Sequence, residues 1–392
     1  MQDSHISLAH GNGGRYMREL IEAVFARHLG NPGLDTRADA VPLALTEGEV
    51  MFSTDGFTVQ PLEFPGGNIG ALAVHGTTND LAVAGAEPLY LSLNAFIEEG
   101  LQVALLDRIV ATLAETATAV GVRVVAGDTK VLRRGEGSGL YLATTGVGLR
   151  SAGVHLGLDR IRSGDCILVS GPIGDHGIAV LLAREQFGLR GDLQSDAASV
   201  LPLTRAALNH EGLHFMRDPT RGGLATVCHE ISQATGLGVQ LQQTEIPIRD
   251  SVQSVCDMLG YDPLYLACEG RVVAVVAEAQ AQDLLAQVHD VDQLVDGAGR
   301  PRAAEHHHVA VVAADRPLDD PPRVLAEAGG LQHLADAPIE ALDHAVGLWV
   351  SGLDKAVLDA VGSADPIEGM LTGRLTLSGG AEAIGELLAV IG

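Results

Sequence analysis

Three aspartates in the first third of the chain, Asp55, Asp80 and Asp128, each stand beside glycines or small residues, and Lys130 follows the last by two positions. Mg²⁺ favours a few carboxylates completed by phosphate oxygens and water. A lysine offers a point charge to a phosphate, and the metal neutralises charge as it develops during phosphoryl transfer. Near the N-terminus, His10-Gly-Asn-Gly-Gly-Arg15 spaces its glycines closely enough for backbone N–H groups to converge into a phosphate nest. The combination predicts a magnesium-nucleotide site, although no GxxxxGK[ST] loop occurs in the chain. Taken singly, Asp55-Gly56 and Gly127-Asp128 also suit ordinary turns, and the glycine run suits a plain terminal loop.

Asp80 belongs to the stretch from Gly66 to Pro88, GGNIGALAVHGTTNDLAVAGAEP, whose apolar positions are nearly all small, as in a helix packed closely on a sheet. Thr77, Thr78, Asn79 and Asp80 interrupt it consecutively. Four polar groups in a buried helix are costly unless satisfied, and a cation with its anionic ligand would satisfy them.

The elements that must position these residues alternate. A helix is predicted over 16–28 with Leu20, Ile21, Val24 and Phe25 on one face, then a strand at 50–54, closed by Asp55-Gly56. A strand over 89–97 and a helix over 101–120 follow, Gly121 stopping the helix. A buried strand at 122–126 delivers Gly127-Asp128-Thr129-Lys130 at its end, and 140–148 is a last strand. The pattern restarts with strand 166–170, the turn Gly171-Pro-Ile-Gly-Asp-His-Gly177, and a helix through Leu182. A further helix lies within 192–207. Met216-Arg-Asp-Pro-Thr-Arg-Gly-Gly223 then leads into a helix ending near Gln233, whose N-terminus has free N–H groups for an anion. Strands are predicted at 238–242, 264–267 and 272–277. The repeat predicts an α/β protein of the α+β type, with two related domains whose mixed sheets are flanked by helices. They divide as an N-terminal segment 1–39, a first domain 40–150, a second domain 155–289 and an acidic extension 290–392. Within the extension, helices are plausible at 331–350 and 381–391. His306, His307 and His308 lack the face-matched spacing of a metal site.

The formal charge of −25 argues against nucleic acid or an anionic membrane as partner. The residues MQDSHISLAHGNGG lack the basic start and apolar core expected of a signal peptide, and no apolar run reaches the roughly 18 residues expected of a membrane span. The four cysteines, 166, 228, 256 and 268, show no paired spacing, so disulfides and structural zinc are not expected and a cytoplasmic location is. Cys228, Cys256 and Cys268 read as small buried hydrophobes.

HGNGG (10–14), STDGFTVQPLEFPGGNIGALAVHGTTNDLAVAGAEP (53–88), AGDTKV (126–131), SGPIGDHG (170–177), MRDPTRGGLATVCHEI (216–231) and ACEGRVVAVVA (267–277) resemble the hydrogenase maturation factors of the HypE family. That family belongs to the superfamily of aminoimidazole ribonucleotide synthetase and selenophosphate synthetase. The likeness covers residues 4–288. The absence of any cysteine before Cys166 separates the chain from selenophosphate synthetase. The resemblance implies a homodimer whose first domains share a barrel, with ATP and Mg²⁺ in a cleft. The reaction it implies converts a cysteine-borne carbamoyl group, received from the carbamoyltransferase HypF, to thiocyanate. The cyano group then passes through a HypC–HypD iron carrier to [NiFe] hydrogenase. It makes Asp55, Asp80 and Asp128 metal and phosphate ligands, with Lys130 facing the transferring phosphate. His10, Gly11, Gly13, Gly14 and Asn79 would enclose the nucleotide. Asp175, His176, Arg217, Asp218, Arg221 and Glu269 would face the cleft from the second domain, Asp175 and Arg221 on the nucleotide, with Glu269 or His176 as the base. His176 as a helix cap and Arg221 as surface charge remain the plainer alternatives. Family members end in Pro-Arg-Ile-Cys, whereas this sequence ends Leu387-Leu-Ala-Val-Ile-Gly392 with no cysteine after Cys268. Three outcomes stay open: a dehydratase with an altered C-terminus, an ATP-binding scaffold without turnover, and a relative that phosphorylates another small substrate.

Overall fold

The computed structural model of the protein describes residues 3–11, 14–36, 38, 40–184, 191–295 and 309–311. Apart from the end of one helix (α8 below), these lie in one compact unit. The predicted helices 331–350 and 381–391 and the histidines 306–308 fall outside the described residues.

α1 (Gly14–Leu20) runs through a π-helical Ile21–Ala26 into α2 (Arg27–Leu29); of the predicted face Leu20, Val24 and Phe25 are buried and Ile21 is half-buried. β1 (Glu49–Phe57) precedes a two-residue ladder of β2 (Glu63–Phe64) and β3 (Gly67–Asn68). α3 (Ile69–Val83), β4 (Ala86–Glu98), α4 (Val103–Val120), β5 (Arg123–Leu132) and β6 (Leu140–Arg150) complete the first half. Their strands make one mixed sheet in the order β1–β6–β4–β5, with β4–β5 parallel and the other pairs antiparallel.

Strand alternation gives this sheet two unlike faces. Leu91, Leu93, Ala95 and Ile97 of β4 join Leu72, Val74, Leu106 and Ile109 of α3 and α4 in the core. Ser92, Asn94 and Phe96 point the other way, with Val50, Phe52 and Thr54 of β1. On that second face Phe52 is 68 % exposed and Val50 53 % exposed. α3 begins at Asn68, whose side chain accepts from the N–H of Gly70 and Ala71, a standard N-cap. It is buried along nearly its whole length because glycines let its neighbours approach. A Cβ at Gly76 would stand 2.6 Å from the Phe57 ring, and one at Gly70 would strike the carbonyl of Ile109 on α4.

The second half contains β7 (Cys166–Val169), α5 (Asp175–Ala183), α6 (Leu201–Ala207), β8 (Leu213–Arg217), α7 (Gly223–Thr235), α8 (Asp250–Leu259), β9 (Val273–Val276), α9 (Glu278–Val295) and β10 (Val309–Val311). Its sheet runs β10–β7–β9–β8 with every described pair antiparallel, so the acidic 290–392 segment contributes an edge strand.

Three expectations fail locally. Residues 264–267 form no strand, because the Asp262 side chain accepts from the N–H of Leu264 and caps a 3₁₀ turn, Pro263–Tyr265. Residues 238–242 hold only an isolated bridge. The motif Gly127-Asp128-Thr129-Lys130 also lies inside β5 rather than beyond it. Gly127 presses against the Leu93 carbonyl where a side chain would collide, so the ladder continues through the motif.

Candidate functional site

Asp55 and Asp80 come together from a strand and a helix 25 residues apart in sequence. Ser53 and Asp55 alternate with the exposed Phe52 and Thr54, so both point from β1 toward α3. There Ser53 Oγ donates to Asp80 Oδ2 at 2.6 Å. The turn before α7 brings Asp218 and Arg221 to the same place, and the Arg221 guanidinium pairs with Asp55 Oδ1. Asp55 Oδ1 also accepts from the N–H of Gly56 at 2.8 Å. Glu269 completes the group from the segment before β9.

Electrostatics mark this group as more than a set of ion pairs. Burial pushes Asp218 up to about 7, and the nearby Asp80 and Asp55 add to the rise. Burial also raises Asp80, with Asp55 reinforcing it against the opposing hydrogen bond from Ser53. Glu269 lies well above the carboxylate range because of burial and of Asp196, Asp218, Asp55 and Asp80. Arg217 and Arg221 partly offset the rise at Asp80, and Arg217 that at Asp218. Crowded, half-desolvated carboxylates with too few cations make a place where a positively charged ligand gains and removal of charge relieves repulsion. Among the described residues no group of three His, Cys, Asp or Glu side chains is arranged to hold a metal ion by itself.

Asp128 and Lys130 do not join this group within the chain, which corrects the expectation that the three aspartates converge. β5 lies at the opposite edge of the sheet from β1, three strand spacings or about 14 Å away. In the parallel register Asp128 sits beside Asn94 and Lys130 beside Phe96, so both lie on the uncovered face. Lys130 Nζ is 3.6 Å from Asp128 Oδ2 and 65 % exposed. His10 and Gly11 flank this same strand: a Cβ at Gly11 would stand 2.8 Å from Cβ of Val131. His10 is buried, its Nδ1 bonded to Ser7 and its Nε2 3.3 Å from Asp3. Gly13 lies outside the described residues, and Gly14 opens α1.

Several residues expected at the ligand are occupied in holding the fold. Asn79 uses its whole amide: Oδ1 accepts from the N–H of Val200, and Nδ2 donates to the carbonyls of Ala198 and Glu269. It ties α3 to the second half through Ala198, Val200 and Glu269. Thr77 bonds Thr144, and Thr78 bonds the carbonyl of Val74, so of the four consecutive polar residues 77–80 it is Asp80 whose side chain joins the acidic group. Asp175 is buried, with Oδ2 accepting from Arg249 Nε at 2.8 Å and lying 3.6 Å from Arg271. His176 is bonded through Nδ1 to Ser195 and meets Phe64 edge-on; burial pushes it down to about 4, which keeps it neutral.

Asp196 and Arg271 escaped the sequence reading. Asp196 sits in a non-helical segment before α6, Gln194-Ser-Asp-Ala-Ala198, with no periodicity to mark it, and Arg271 looks like ordinary charge before a strand. All four cysteines are buried, as expected of Cys228, Cys256 and Cys268 as small hydrophobes. Burial pushes the Cys228 thiol up to about 12 and raises Cys268 and Cys166 as well. No helix among the described residues is long and apolar enough to cross a membrane.

The fold and the motifs have counterparts. Residues 37–150 match the N-terminal domain of AIR synthase related proteins, and residues 162–297 match the C-terminal domain. The carbamoyl dehydratase HypE of Azotobacter vinelandii is 44% identical over 312 residues, covering 79% of this chain and 92% of the relative. A crystal structure of the hydrogenase maturation protein HypE in complex with ATP superposes with a TM-score of 0.72 at 41% identity, over 78% of this chain and 89% of that one. A crystal structure of a HypE–HypF complex matches at a TM-score of 0.63 and 38% identity, over 75% and 93%. With two domain models and a relative matched over most of both lengths, the chain belongs to the HypE family of carbamoyl dehydratases.

Proposed function

We propose that this protein is an ATP-dependent dehydratase that converts an S-carbamoyl group on a cysteine thiol to a thiocyanate, supplying cyanide for [NiFe] hydrogenase maturation. The observation that carries the reading is the acidic group of Asp55, Asp80, Asp218 and Glu269, in which burial and the neighbouring carboxylates raise the proton affinity of Asp80, Asp218 and Glu269. Beside it stands the 41% identity to a hydrogenase maturation protein HypE crystallised with ATP.

The donors suit Mg²⁺. Asp55, Asp80 and Asp218 offer hard oxygens, and because the described side chains form no complete cage, phosphate oxygens and water would fill the remaining positions. Bound there, the ion would neutralise charge on the transferring phosphate. Arg221 is 64 % exposed and can turn from Asp55 toward a phosphate.

In the reaction the carbamoyl oxygen attacks the terminal phosphorus of ATP, forming the new O–P bond as the bond to ADP breaks. One amide proton leaves at this stage. The second N–H proton then passes to the departing phosphate as the C–O bond breaks, giving C≡N and inorganic phosphate. Glu269 takes the first proton. His176, the other candidate base, is engaged by Ser195 and Phe64. A carboxyl with raised proton affinity is the stronger base once ionised.

The reaction is carried out by a homodimer. The uncovered face of the first sheet carries Val50, Phe52 and Phe96, and a second copy covers it in a shared barrel. Asp128 and Lys130 lie on that same face, so each chain supplies them to the acidic group of the other. HypF delivers the carbamoyl group, in line with the matched HypE–HypF complex, and a HypC–HypD iron carrier accepts the cyano group.

The buried state of Cys166, Cys228, Cys256 and Cys268 favours a second reading, an ATP-binding maturation scaffold, because none of these four presents a thiol for carbamoylation. The purified protein, incubated with MgATP and a synthetic peptide carrying S-carbamoylcysteine, separates the two. Loss of one water from the peptide with stoichiometric phosphate release supports the dehydratase. Normal ATP binding with an unchanged peptide, and no adduct on the chain after incubation with HypF, carbamoyl phosphate and ATP, supports the scaffold.

A further inference from the structure

Glu269 is held by its backbone from two sides. Its N–H donates to Asp196 Oδ1 at 3.1 Å, and its carbonyl accepts from Asn79 Nδ2 at 3.2 Å. The two clamping side chains come from segments more than a hundred residues apart, one on α3 and one before α6. The next residue is locked by shape, since a Cβ at Gly270 would collide with the backbone carbonyl of Asp196 and stand 3.0 Å from the amide nitrogen of Ala198. Asp196 is completely buried, and a buried carboxylate is an expensive way to accept one backbone N–H. Its charge is met by Arg271, whose Nε lies 3.4 Å from Asp196 Oδ2 and donates to the carbonyl of Pro172. Arg271 is itself only 4 % exposed and reaches Asp175 with its other end. The chain Asp175–Arg271–Asp196 thus anchors the clamp deep in the second half.

We propose that Asp196 and Asn79 are positioning residues for Glu269, fixing its peptide so that the carboxyl stays against Asp55, Asp80 and Asp218, with Arg271 holding Asp196 in place. The proposal rests on the reading of Glu269 as the proton-accepting group. Neither side chain touches the substrate; both act through Glu269.

The test compares Asp196→Asn, which keeps an acceptor oxygen for the Glu269 N–H, with Asp196→Ala, which removes it. Turnover uses MgATP and the S-carbamoylcysteine peptide. Asp196→Ala should lower kcat by about tenfold or more while the KM for ATP stays within about twofold, and Asp196→Asn should recover most of the loss. In a Glu269→Gln background, Asp196→Ala should cost nothing further. A parallel rise in the KM for ATP, equal losses in the two Asp196 variants, or a full additional loss without Glu269 overturns the proposal. Amide hydrogen exchange at residue 269 gives a readout independent of catalysis: it should quicken by about tenfold in Asp196→Ala and remain slow in Asp196→Asn. Unchanged exchange in Asp196→Ala refutes the clamp even if Glu269 is the base. If Glu269→Gln keeps full turnover, the reading of Glu269 as base fails, and the exchange result still decides the clamp.

Discussion

Asp55 and Asp128 stand on opposite edges and opposite faces of one four-stranded sheet, Asp55 toward α3 and Asp128 on the uncovered side. A single chain therefore cannot bring both to one phosphate, and a shared site in a dimer follows if both act.

Complementation tests that arrangement. Asp55→Ala and Asp128→Ala should each abolish turnover as homodimers. Mixed dimers of the two variants should regain activity, because one of their two sites then carries both aspartates. Sites built within one chain would leave the mixture inactive.

Asp218 makes stability and function oppose each other. Its folded-state pKa, about 7, lies above the ordinary carboxylate value, so the stability it contributes is present at low pH and is lost as pH rises through 7. Asp218→Asn should stabilise the ligand-free protein at pH 8, by about 1–3 kcal/mol, and leave it unchanged at pH 4. In the wild type, MgATP affinity should weaken as pH falls from about 8 to 6, because cation ligands must be deprotonated. That slope should flatten in the variant. Thermal melts and calorimetric titrations across this range measure both effects.

Asn79→Ala should cost stability and, by loosening the Glu269 peptide, turnover, but not nucleotide binding. Removing the amide leaves the buried Val200 N–H and the Ala198 carbonyl without their partner, a loss of about 2–4 kcal/mol. Chemical denaturation should show that loss, whereas MgATP affinity of the folded fraction should change by less than about threefold. A stable variant that has lost ATP would return Asn79 to the nucleotide.

The first sheet, its two covering helices and the strand–turn–helix restart were legible because their apolar residues repeat at the periods that strands and helices impose. Asp80 was legible for a related reason, as a charge among small buried residues. The fate of its neighbours was not. Thr77 is satisfied by Thr144 and Asn79 by Ala198, partners 67 and 119 residues away that no local pattern encodes. The face taken by Asp128 was hidden as well, because the β4–β5 register shifts at Leu91/Ser92 and resets the alternation. Asp196 gave no signal because its role is set wholly by Glu269 and Arg271, which fold against it.

The account depends above all on Asp80 as the point where the acidic group meets the nucleotide. Isothermal titration of MgATP into the wild type and Asp80→Ala, with dimer mass and melting temperature checked alongside, tests it directly. The account predicts a folded, dimeric variant whose MgATP affinity has fallen by about a hundredfold or more. Affinity equal to that of the wild type would contradict it.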